Sequence, residues 1–192
     1  MFPRMKPIAD VAGSELLWVQ PSILKQSFEL RAGDEVVGTL VFQRSSLAAA
    51  ETSDHRWTFK REVFWRPQVT VRVADSEQNL AVFHPSWSGG GQLELADGQV
   101  LGFSAANFWH TQWAWKTADG KSSVAFHSKQ GFLKSGAQVE ISPPQSQGGA
   151  DEGGDGQLLS LEVVLGWYLL VLFARDATTA SSAGSMAAIG GA

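Results

Sequence analysis

Four histidines, one basic run and a scatter of serines are the residues here whose types can carry chemistry. The histidines are His55, His84, His110 and His127. In a hairpin turning at Asp119-Gly120, His127 falls opposite Gln112, with His110 its diagonal neighbour on the outward face, ~7–8 Å away. Two imidazoles so placed with no third carboxylate nearby make a weak metal site, and solvated strand histidines fit the pattern better. No serine sits in a Gly-x-Ser-x-Gly elbow or beside an evident His/Asp partner. Gly89-Gly90-Gly91 lacks the Lys-Ser/Thr ending of a phosphate-binding loop and reads as a turn. Asp34-Glu35 and Asp151-Glu152 fall in connecting segments, where acids solubilise. The chain has no cysteine, which removes disulfides, thiolate nucleophiles and cysteine-metal sites. The expectation is no catalytic residue, no metal, no cofactor and no enzyme.

The basic run is more informative. Between Arg56 and Arg72 the chain places Arg56, Lys60, Arg61, Arg66 and Arg72 against Glu62 alone; five minus one gives +4 in a protein of net charge −4. Trp57, Phe64 and Trp65 are interleaved. Cations beside interfacial aromatics suit an anionic membrane surface, where each Lys or Arg contributes about 1 kcal/mol. Lys60, Arg61, Arg66 and Arg72 are therefore the candidate lipid-binding residues. The plainer reading is that alternate strand residues turn these charges to water. The overall negative charge argues against a nucleic-acid partner.

From Trp18 to about Ile141 the chain alternates apolar and polar residues, broken by turns at regular intervals. A three-residue loop at Ala32–Asp34 sets Leu30 opposite Val36, Phe28 opposite Gly38 and Arg31 opposite Glu35, with the large apolar residues on one face. Strands are expected at Trp57–Trp65, Gln68–Ala74, Leu80–Phe83, Gln92–Ala96 and Val100–Ser104. Asp97-Gly98 and Asp119-Gly120 are two-residue hairpin turns. The second pairs Ala118 with Lys121, Trp115 with Val124 and Trp113 with Phe126. Residues 143–157 read as a flexible linker and 177–192 as a disordered tail. Met1–Gly13 carries no apolar run of signal-peptide length.

Leu158–Ala174 is apolar nearly all round, so as a helix it must be buried. It suits a helix threaded through the protein's own sheet, because a closed sheet of roughly a dozen strands is too wide for side chains alone to fill. The fold class expected is mainly β: a closed antiparallel barrel around a central hydrophobic C-terminal α-helix, one domain over residues 1–176. A bilayer-spanning tail anchor and a small-ligand barrel carrier are the alternatives, the first at the short limit of a span.

Arg56–Val73, the two Asp-Gly hairpins and Leu158–Ala174 together resemble the tubby C-terminal-like superfamily, which includes LURP-one-related proteins and phospholipid scramblases. The resemblance is one of layout, covers Trp18 to Arg175, and brings no catalytic motif. No cysteine-rich or calcium-ligand segment of the scramblase type is present, which weakens any transfer of scrambling. The resemblance implies a non-enzymatic intracellular binding module, cytoplasmic and peripheral at the membrane, touching anionic phospholipid headgroups.

Overall fold

In a computed structural model, residues 5–22, 24–63, 66–87, 89–128, 136–142 and 152–186 are described, the side chains of 152–154 and 181–186 aside. Twelve antiparallel strands follow one another as β1 (Leu16–Val19), β2 (Ser27–Ala32), β3 (Glu35–Phe42), β4 (Leu47–Thr52), β5 (Arg56–Glu62), β6 (Gln68–Val73), β7 (Asn79–Pro85), β8 (Gly91–Leu95), β9 (Val100–Ala105), β10 (Gln112–Lys116), β11 (Ser122–His127) and β12 (Ala137–Ile141). Each pairs with its neighbours in sequence, and β1 pairs with β12 to close a barrel. No strand edge is left for another chain to extend.

The helix α1 (Glu152–Met186) runs through this barrel. Ser160–Leu172 is buried on every face, which only an enclosing wall permits. The wall meets it with alternate strand residues, among them Trp18, Trp57, Phe59, Phe83, Phe103, Trp115 and Phe126, all at most 1 % exposed. Side-chain sizes on the two surfaces are matched. Tyr168 stacks on Phe42 of β3 and contacts Phe59 of β5, so it lies over β4, where the inward residues Ala48 and Ala50 are small. Its hydroxyl donates to the Ser46 carbonyl at 2.6 Å. Trp167 stacks on Trp18 of β1 and meets Phe28 of β2 edge-on. Trp115 Nε1 donates to the Glu162 carbonyl at 2.8 Å.

Three expectations need correction. The helix is longer than 158–174: residues 152–157, expected in a flexible linker, and 177–186, expected in a disordered tail, are helical. Extending a helix from a buried nucleus is far easier than starting one, because nucleation is the costly step of helix formation, so even these Gly- and Ser/Thr-containing flanks continue it. Residues 143–151 and 187–192 lie outside the described residues. At Ala32–Asp34 the loop is two residues, not three: Ala32 pairs with Glu35 and Arg31 with Val36, and a bulge between Leu30 and Arg31 sets Leu30 opposite Gly38 and Phe28 opposite Leu40. The bulge buries Val37 in place of Val36.

At Ala96–Gly98 and Ala118–Gly120 the loops are three residues, not two. Gly98 N donates to Leu95 O and Gly120 N to Thr117 O, with Leu95–Gln99 and Thr117–Lys121 closing the hairpins. Positive φ is confined to Gly98 (87°) and Gly120 (81°), so Asp is spared the left-handed conformation a two-residue turn would ask of it. A register shift between Ala114 and Lys116 absorbs the extra residue, and Trp113 still faces Phe126 and Gln112 still faces His127.

Candidate functional site: the loop end of the barrel

The β5–β6 hairpin carries the sequence-selected cations, and its register divides them. Lys60 lies opposite Thr70, Arg72 opposite Thr58, and Arg61 opposite the buried Val69. Lys60 and Arg72 therefore stand on the outer wall, whereas Arg61 is on the inward face at the barrel mouth. Lys60 Nζ is 3.4 Å from Glu62 Oε1, and Arg72 Nε donates to Asn79 Oδ1 at 2.8 Å. Hydrogen bonds from Gln68 and then Lys60 hold the Glu62 carboxyl below the usual range. Arg61 reaches Asp176 of α1 at 2.8 Å. Arg66 is exposed in the turn between β5 and β6. The structure thus brings Lys60, Arg66 and Arg72 to the outside of one hairpin and commits Arg61 to the helix. Of the interleaved aromatics, Trp57 is a core residue at 1 % exposure, a correction to its interfacial reading, since its strand position points inward. Phe64 and Trp65 lie outside the described residues.

The histidines do not converge. His55 stacks on Trp57, His84 Nε2 is 3.8 Å from Glu94 Oε2, and His127 Nε2 is 3.2 Å from Glu140 Oε2. His110 precedes β10, in a loop, at φ 53°, so it is not the strand neighbour of His127 that the hairpin implied. Among the described residues no three metal-type side chains form a group.

A feature the sequence reading missed emerges from the meander itself. In an up-and-down barrel, alternate connections lie at the same end. The β2–β3, β4–β5, β6–β7, β8–β9 and β10–β11 turns share one end and carry Asp34, Asp54, Asp75, Glu77, Asp97 and Asp119 against Lys121. The same end is stoppered by the 3-10 turn Ala9–Val11, with Ile8 and Val11 buried. The opposite connections, 20–26, 43–46, 63–67, 86–90, 106–111 and 128–136, contain no Asp or Glu and include Lys25, Arg44 and Arg66, with Lys129 and Lys134 further in sequence. There Leu24, Val63, Trp87, Phe108 and Trp109 are each at least 72 % exposed. The signal for it was available: apolar aromatics inside turn segments rich in Ser, Gly and Asn, where no fold needs them.

The helix emerges at this end. Arg175 Nη1 donates to Ser45 O and Nη2 to Gln26 Oε1, both at 2.9 Å, and its guanidinium lies 4.0 Å over the Phe42 ring. Burial pulls the Arg175 pKa down, a shift the Tyr168 side chain partly opposes. Beside the helix a cavity of about 270 Å³ opens between Arg61, Val69, Trp87, Leu169, Phe173 and Asp176.

No protein-family model, curated protein or solved structure matches this chain. The fold and the polarity of its two ends are what define the site.

Proposed function

We propose that the chain is a non-enzymatic, tubby-like binding module that contacts anionic phospholipid headgroups at a membrane surface from the cytoplasmic side. The observation that carries this reading is the β5–β6 hairpin: Arg66 is exposed at its tip and Lys60 stands on the outer wall just below, at the barrel end whose connections are free of acids, with Arg72 farther along the same wall toward the other end. Acids gathered at the far end would orient the molecule with its basic end toward a negative surface. The twelve-strand barrel around an apolar helix agrees with the layout the tubby resemblance implies. Enclosure of Ser160–Leu172 by the strands favours core over bilayer span for that segment, and a helix occupying the lumen leaves little room for the chamber of a small-ligand carrier.

Co-sedimentation with phosphatidylcholine vesicles, with and without phosphatidylserine, tests the proposal. Pelleting only with the anionic vesicles, weakened by salt and by Lys60→Ala/Arg66→Ala/Arg72→Ala, is expected. Pelleting that ignores lipid charge would remove the headgroup reading.

A further inference from the structure

We infer that the loop end docks by penetration: Leu24, Val63, Trp87, Phe108 and Trp109 enter the headgroup–acyl boundary of an anionic bilayer, standing the barrel on end. This deepens the headgroup reading and rests on its choice of a lipid surface.

Exposure of one large apolar side chain is ordinary; five spread over four loops of one end are not. They lie on separate loops, and exposed Lys25, Arg44 and Arg66 lie on loops of the same end. Trp and Phe beside cations are the composition of the membrane–water interface, where the ring sits at headgroup level and the charge meets phosphate. Phe108 and Trp109 pack edge to face at 5.5 Å, and Asn107 fixes the base of their loop, its Oδ1 accepting from the Thr111 and Gln112 amides at 3.0 and 3.2 Å. The tips are thus held outward by a built loop.

The helix identifies the occupant. It continues beyond Arg175 through Met186, and Asp176–Ala180 is exposed, so a partner pressed against the loops must accommodate about 15 Å of projecting helix. Fluid lipid does so anywhere, whereas a folded protein would need a matching hole. From Ala177 onward the sequence has no charged residue. Thr178 and Thr179 hydroxyls donate back to the Ala174 and Arg175 carbonyls at 2.9 and 3.0 Å, which lowers the cost of placing them in a dry environment.

The test uses the full chain, a Trp87→Ser/Phe108→Ser/Trp109→Ser variant, and vesicles of phosphatidylcholine with about a third phosphatidylserine. All three side chains are exposed, so the variant should melt as the wild type does. Expected are a fall of at least about tenfold in vesicle partitioning and tryptophan quenching by lipids brominated high on the acyl chain, present in the wild type and lost in the variant. Equal, salt-sensitive partitioning of both proteins without quenching would overturn penetration and leave headgroup contact standing. Quenching that is the same with neutral vesicles would keep penetration and remove the anionic preference. No binding of the wild type to either vesicle would overturn both and assign the loop end to a protein partner.

Discussion

Gly166 of the central helix lies directly against the ring of Phe126 on β11: a Cβ placed on Gly166 would come 2.4 Å from Phe126 Cζ and 2.9 Å from Trp115 Nε1. The wall approaches the helix backbone here as no other residue would allow. Trp115 cannot retreat without giving up its hydrogen bond to Glu162 O. Gly166→Ala should therefore destabilise by about 1–3 kcal/mol through overpacking, despite the ~1 kcal/mol that alanine gains over glycine inside a helix. Gly156, with nothing within 4 Å of its would-be Cβ, is the control: Gly156→Ala should raise stability slightly. Thermal unfolding followed by circular dichroism reads both, and equal shifts of the same sign would contradict the account.

Glu162 is 2 % exposed, and burial raises its pKa to about 7, the Ser123 hydroxyl opposing the shift only in part. Between roughly pH 4.5 and 7 the unfolded chain releases a proton that the folded chain keeps. Stability should therefore fall as pH rises through that window and flatten above it, by an upper bound of about 3 kcal/mol. Glu162→Gln should remove this slope and be the more stable protein at pH 8. Urea unfolding at pH 5 and pH 8 measures it; parallel profiles for the two proteins would count against a neutral buried carboxyl.

Arg175 and Asp176 adjoin but should differ in weight. Arg175→Ala loses two hydrogen bonds that tie the β1–β2 and β3–β4 loops to the helix, and its cover over Phe42, at a cost of about 2 kcal/mol. Asp176→Ala breaks an ion pair whose acid is half exposed and should cost below about 1 kcal/mol. Chemical denaturation ranks the two, and the reverse order would show that the mouth is held from the Arg61 side.

Leu165 is wholly buried at the middle of the plug. Leu165→Asp places an unpaired charge there and should abolish folding. A soluble variant with an intact β-sheet spectrum would mean that the barrel stands without its centre.

The closed barrel with a helical core was legible because the alternating strands and the all-round apolar stretch each demand burial, and only a closed sheet satisfies both. Strand β4 was not legible. Leu47–Thr52 is half alanine, a poor strand former by propensity, and it is a strand because Tyr168 needs the space that Ala48 and Ala50 leave between Phe42 and Phe59. The Ala-Asp-Gly turns were located but given the wrong length; at the second, a bulge between Ala114 and Lys116 absorbs the difference and leaves Trp113 facing Phe126. The loop end escaped notice for another reason. Leu24, Val63, Trp87 and the Phe108-Trp109 pair sit on separate connections, and only the up-and-down order of strands gathers them at one end.

The threaded helix also sets the order in which the molecule can be made. All twelve strands precede their own interior in the chain, so during synthesis a large apolar lining waits for the segment that will cover it. Until Leu158–Leu172 arrives, the ring can neither shut nor shed its water, and closure must join β1 to β12 across more than a hundred residues. Such distant pairing makes assembly slow and exposes the unfinished sheet to aggregation. A chain cut before the helix would be left as an unsheltered apolar sheet.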